Sequence, residues 1–274
     1  MSDANYFPYL HGFSESEQQR LREQAFYEEH RIYQDIDFSR IKNLLEVGCG
    51  VGAQSEILLR RFSKLHLTGI DLNDRQLASA KEYLATLPYA KDRYEIKKMD
   101  AQNLEFESNS FEGAFLCWVL EHIPHPQKVL NEVRRVLRPG SKVFITEVLN
   151  STFFLDPYSP NVWKYWMAFN DYQLDTHGDP FIGAKLGNLL QAGGFQDIKL
   201  SLKNLHFDNR FPDERKETID FWTDLLMSAK EQLISEKVIT QELADAAYQE
   251  LKTIASDPNA VFYYTYVQAQ ATVI

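Results

Sequence analysis

The sequence predicts an α/β protein built on a doubly wound, mostly parallel sheet of seven strands, with an N-terminal helix and helical lid insertions. Three observations predict it. From about Ile41 onward, short β-rich runs alternate with helical patterns, the signature of βαβ units with right-handed crossovers. The first run, LLEV, leads straight into a glycine-rich loop, Gly48 to Gly52. The last apolar run, over 260–273, alternates like a closing strand.

The elements follow in order. Residues 14–33 start with a serine cap and an acidic first turn, so 1–40 is expected to form a helical cap ahead of a main domain over 41–274. Strand one is expected over 43–47, a helix over about 54–62, and strand two over 65–70, ending at Asp71. Asn73 or Asp74 can cap the next helix, whose Leu77, Ala80 and Leu84 recur at helical spacing. Strands three and four are expected over 94–98 and 111–119. The helix over 126–137 is expected to stop at Arg138-Pro139-Gly140, before strand five over 142–148. A helix over 184–192 ends on Gly193-Gly194, and strand six follows over 195–202. Two segments exceed this alternation and are expected to form lids: the aromatic-rich 150–180, and 207–258 with two amphipathic helices.

Composition narrows the function. The 274 residues carry 29 Lys and Arg against 39 Asp and Glu, a net charge of −10 that repels a phosphate backbone and argues against nucleic acid. No apolar run reaches the roughly 18 residues of a membrane span. The start lacks the pattern of a secretory signal, and Cys49 and Cys117 show no disulfide or zinc spacing, so a reducing cytoplasm is the expected location.

Gly48, Gly50 and Gly52 stand at the carboxyl end of a buried strand, where doubly wound sheets bind ligands. The loop is open to two readings, because GCGVGA also satisfies the dinucleotide pattern G-x-G-x-x-G/A, and Asp71 suits a ribose in either case.

Further motifs in order carry a resemblance. Glu46 before the first glycine, Met99-Asp100-Ala101 after strand three, FEGAFLCWVLEHI over 111–123 and LRPGSKVFITE over 137–147 resemble the class I S-adenosylmethionine-dependent methyltransferases, a Rossmann-like family, and within it the small-molecule enzymes related to quinone biosynthesis. The resemblance implies S-adenosylmethionine as cofactor and a small-molecule acceptor. It implies that Gly48, Cys49, Gly50 and Gly52 border the methionine moiety, that Asp71 and its neighbour Leu72 meet the ribose, and that Asp100 and Ala101 meet the adenine. Glu46 can favour a cationic ligand or cap loop amides. Trp118 packs on the cofactor or in the core. The lead-in with Tyr9-Leu10-His11-Gly12 and Arg20 to Gln24 resembles a segment that covers the cofactor in some of these enzymes, making Tyr9 and Gln24 candidate contacts or parts of a surface helix.

Methyl transfer from an activated sulfonium needs no triad, so His122, His177 and Tyr158 are the candidate catalytic groups, with Asp156 and His206 as further polar candidates. The spacing of Asp156, His177 and Asp179 fits no metal site, and no metal is expected. The lid aromatics suggest an apolar, planar or cationic acceptor, with most of them forming the seam between lid and core. The alternatives are a cofactor-binding protein without transferase activity and a nicotinamide-dependent oxidoreductase.

Overall fold

The computed structural model describes residues 10–274. The chain runs α1 (Glu15–Tyr33), β1 (Asn43–Val47), α2 (Ala53–Arg61), β2 (His66–Asp71), α3 (Asp74–Ala85), β3 (Tyr94–Lys98), β4 (Phe111–Cys117), α4 (Pro126–Val136) and β5 (Leu137–Val148). It continues through β6 (Phe154–Asp156), α5 (Pro160–Asp175), α6 (Leu186–Ala192), β7 (Gln196–Phe207), α7 (Pro212–Ser228), α8 (Lys230–Ser235), α9 (Gln241–Ser256) and β8 (Val261–Thr272).

The five strands β3-β2-β1-β4-β5 are parallel neighbours, the pairing that crossover connections allow. β8 lies antiparallel against β5 and carries β7 on its other edge. The seven expected strands are joined by an eighth, the three-residue β6, which pairs with β8 beyond the end of β5. Between those two ladders Thr152 fills the gap, because its hydroxyl accepts from the Thr265 N–H and donates to the Thr265 carbonyl. A lone three-residue run has no periodicity to reveal it.

Three boundaries differ from expectation. α4 ends at Val136, and Leu137 already pairs with Phe111, so Pro139-Gly140 sits within β5 at an irregularity rather than before it. Gly140 takes φ +84° there and donates its N–H to the Val273 carbonyl. β7 runs on to Phe207, because β8 offers it a full-length antiparallel edge. The second lid has three helices, since a break near Ala229 divides α7 from the short α8.

Side chains alternate across the sheet. Leu44, Phe115, Phe144 and Tyr266 face α1, α2, α3 and the lid helices, while Leu45, Leu116, Val143 and Ala269 face α4 and α6. Caps fix the helix starts: Ser14 accepts from the Glu17 N–H, and Asn73 accepts from the Arg75 and Gln76 N–H groups. No helix among the described residues is long and apolar enough to cross a membrane.

The lids join the sheet through an aromatic seam. The buried Phe153 ring stacks on Trp222 at 5.0 Å and meets Trp166 at 4.9 Å and Phe262 at 6.1 Å. Phe153→Ala leaves a hole at a ring that meets both lids and β8, and is expected to destabilise the protein by about 3–5 kcal/mol in urea unfolding.

Candidate functional site

At the carboxyl ends of β1, β2 and β4, α1 and the lids enclose one continuous cavity of about 790 Å³. Its position follows from chain reversal at these strand ends, where successive loops turn away from each other and leave a crevice.

The glycine loop forms the floor. Gly48, Gly50 and Gly52 all have positive φ, at +70°, +50° and +77°. A Cβ on Gly48 would stand 2.5 Å from Val119, and one on Gly52 would stand 3.2 Å from Ala80, so both glycines serve close packing. A Cβ on Gly50 meets nothing within 4 Å. Gly48, Cys49 and Gly50 line the cavity; Gly52 lies behind it, against α3.

Asp71 ties this loop to β2: one carboxylate oxygen accepts from the Gly50 N–H at 3.0 Å, the other from the Asn73 N–H at 2.9 Å. Burial raises its pKa, against the pull of those bonds. Leu72, 52 % exposed, presents an apolar side chain at the rim, and Asp100 and Ala101 complete that end. Asp100 accepts from the Gln102 N–H at 2.8 Å, which fixes the turn after β3.

Glu46 is not part of the wall. It lies buried beneath the loop, where the Ser55 hydroxyl donates to it rather than any loop amide. Burial, reinforced by the Asp71 charge, pushes its pKa up to about 8.

The turn after β4 forms the next side. Trp118 has φ +55°, a conformation that costs a bulky residue about 1–2 kcal/mol and persists only where its surroundings impose it. Its N–H donates to the Thr146 carbonyl, and the next two amides, Val119 and Leu120, donate to the buried Glu147 carboxylate at 3.0 and 2.7 Å. Burial raises the Glu147 pKa, and neighbouring Glu121 adds to the effect. Trp118 and His122 line the cavity, with His122 Nε2 3.7 Å from the Glu121 carboxylate.

The far half is aromatic with polar inlays. Trp166 and Phe169 of α5, Phe221 and Trp222 of α7, and Tyr264 and Tyr266 of β8 line it. The other lid aromatics, Phe153, Phe154, Tyr158, Trp163, Tyr165 and Tyr172, lie outside the wall. Arg20, Gln24 and Glu28 project from α1 at four-residue spacing. Arg20 is bound by both Glu17 oxygens at 2.7 Å and donates to Gln24 at 2.9 Å. His11 bonds Ser228 at 2.6 Å, and burial, aided by Arg20 and His122, pushes its pKa well down, so it stays neutral at pH 7.

Two candidate catalytic residues are displaced. Tyr158 is 73 % exposed and His177 follows the end of α5; neither lines the cavity, because the helix they flank turns only Trp166 and Phe169 inward. Asp156 and His206 are drawn into pairing with β8, and Asp179 into an ion pair with Lys185. Tyr9 lies outside the described residues. Sequence reasoning missed Arg20, Glu28, Glu121, Glu147, Tyr264 and Tyr266. The four-residue polar spacing on α1 was the one signal present.

Residues 45–145 match the model of a family described as a methyltransferase domain. The chain is 32% identical over 142 residues to the demethylmenaquinone methyltransferase of Desulfitobacterium hafniense, covering 51% of this chain and 53% of that protein. It is 34% identical over 110 residues to phosphoethanolamine N-methyltransferase 2 of Caenorhabditis elegans, covering 40% of this chain and 24% of that one. The chain thus spans about half the length of these relatives, or less. In fold it resembles phosphoethanolamine N-methyltransferase 2 of Haemonchus contortus, solved with phosphomonomethylethanolamine and S-adenosylhomocysteine. That likeness has a TM-score of 0.56 at 22% identity and covers 91% of this chain and 52% of the other.

Glu46 couples this site to stability. Its carboxyl keeps its proton up to about pH 8 when folded and loses it near 4.5 when unfolded, so its contribution is whole below about pH 4.5 and gone above about pH 8. Stability in urea unfolding is expected to fall as pH rises through that window, and Glu46→Gln, which keeps a hydrogen-bonding group beside Ser55, is expected to reduce the fall by an amount on the order of 5 kcal/mol.

Proposed function

We propose that this chain is a class I S-adenosylmethionine-dependent methyltransferase, a reading supported by the match of residues 45–145 to a methyltransferase-domain family, and that it transfers the cofactor's methyl group to a small-molecule acceptor held in the aromatic half of the cavity. The observation that carries the reading is the continuity of the cavity. Its volume of about 790 Å³ accommodates two small ligands side by side, and its two halves differ in chemistry.

The residues of the first half fit the cofactor. The open space over Gly50, which a side chain would fill, gives room for the methionine portion beside Gly48 and Cys49. Asp71, already oriented by two backbone amides, would hold the ribose hydroxyls, with Leu72 beside it at the rim. Asp100 and Ala101 receive the adenine, and Gln24 closes the cleft from α1. No basic side chain is needed on the loop, since the cofactor carries no pyrophosphate.

When bound, the cofactor supplies a methyl group already activated on a cationic sulfur. The chain's own residues supply position and dryness. Trp118, held in its strained conformation by Glu147 through the following amides, marks the border between the halves. The lid aromatics would shield a bound acceptor from water, and in-line approach of its nucleophilic atom is what such positioning would supply.

S-adenosylhomocysteine at a hundredfold excess over its Kd is expected to raise the apparent stability by about 2.7 kcal/mol in a thermal-shift assay. Gly50→Val, which forces a branched side chain into left-handed backbone and into the open space left for the ligand, is expected to abolish the shift, and Asp71→Ala to weaken the affinity tenfold or more. A shift with a nicotinamide dinucleotide and none with S-adenosylhomocysteine would overturn the reading.

A further inference from the structure

On α1 the cavity is lined by a carboxylate with one oxygen that accepts from none of the described residues. Glu28 is 3 % exposed and lines the cavity from α1. Both its recorded partners meet the same oxygen: the Tyr266 hydroxyl donates to Oε2 at 2.9 Å, and Arg31 Nη1 stands 3.6 Å from it. Oε1 accepts from none of the described residues. A carboxylate oxygen on a residue that lines the cavity, with no protein donor, can take one from a ligand.

The surroundings select the kind of donor. Arg20, eight residues earlier on the same helix, is committed to both oxygens of Glu17. Arg31 reaches Glu28 only beyond hydrogen-bond length and is itself spread over the rings of Tyr27 and Phe207. His11 is neutral, for the reasons given above. The far half of the cavity is aromatic, with Trp118, Trp166, Phe169 and Trp222 among the rings that border it. Aromatic faces and an undercompensated carboxylate share one preference, a cation shielded from water.

Resting on the transferase reading above, we infer that the acceptor is an amine with an apolar body, bound as its ammonium to Oε1 of Glu28, and that Glu28 then takes the proton that must leave before the nitrogen can react. An ammonium N–H bond breaks as its proton passes to the carboxylate, which becomes a neutral acid. The freed nitrogen lone pair forms the new N–C bond to the methyl carbon while the C–S bond breaks, leaving the neutral thioether S-adenosylhomocysteine. The Glu28 proton then returns to solvent. Burial favours the neutral form of Glu28, which suits a group that must accept a proton from a cation. Tyr266, bonded to the other oxygen, keeps the carboxylate aimed.

The test uses the full chain saturated with S-adenosylhomocysteine and two probes, naphthylethylamine and its alcohol isostere naphthylethanol, titrated calorimetrically near pH 7. The amine is expected to bind at least about tenfold tighter than the alcohol. Glu28→Gln is expected to remove that preference while keeping the thermal shift with S-adenosylhomocysteine, and Glu28→Asp, which restores the charge, to recover part of it. Absence of an amine preference in the wild-type protein, or its survival in Glu28→Gln, would overturn the inference. Loss of the S-adenosylhomocysteine shift in the wild-type protein would instead bring down the reading on which it rests.

Discussion

The chain leaves β1 through three residues with positive φ, and every wall of the cavity takes its place from that turn. Gly48 must be small for Val119 to approach, and Gly52 must be small for α2 to pack on Ala80 of α3. With both contacts made, Gly50 is lifted to where its N–H reaches Asp71 and nothing covers it from above. Close packing on two sides of the loop thus creates the open space on the third. The same contacts lock β1, β2 and the turn after β4 into one rigid corner.

The opposite side of that corner is built with carboxylates. Glu147 replaces the missing helical partners of a tight turn by accepting two consecutive amides, and in doing so it imposes a left-handed conformation on Trp118. Glu46 secures α2 from beneath through Ser55. Both groups are fully buried and both are pushed toward their protonated forms, so the rigidity of the cleft is purchased with groups that water would have stabilised better. Stability sacrificed at a fixed site is the usual companion of a preorganised one.

Much of this was legible in the sequence. The alternation from Ile41 to Val148 marked the parallel strands because each is short, apolar and followed by a helix-period run, and Asn73 and Ser14 cap the helices they precede. The glycine loop stood out because its backbone demands are written in residue type. The ends of elements were less legible where tertiary pairing overrides local signals: β5 begins before Pro139-Gly140 because Phe111 is available to pair with Leu137, and β6 exists only because β8 is long enough to carry it. The polar part of the far wall was largely hidden. Arg20 and Glu28 look like the solvated face of a helix, and only the lids that close over α1 turn that face into the lining of a cavity. Tyr264 and Tyr266 read as strand residues, which they are, and nothing local distinguishes a strand face that meets a core from one that meets a ligand.

A crystal structure of the protein with S-adenosylhomocysteine bears most directly on this account. The account predicts the ribose on Asp71, the adenine beside Asp100 and Ala101, and the sulfur directed past Trp118 toward the cavity bordered by Glu28. A ligand bound elsewhere, or one whose sulfur turns away from the aromatic half, would contradict it.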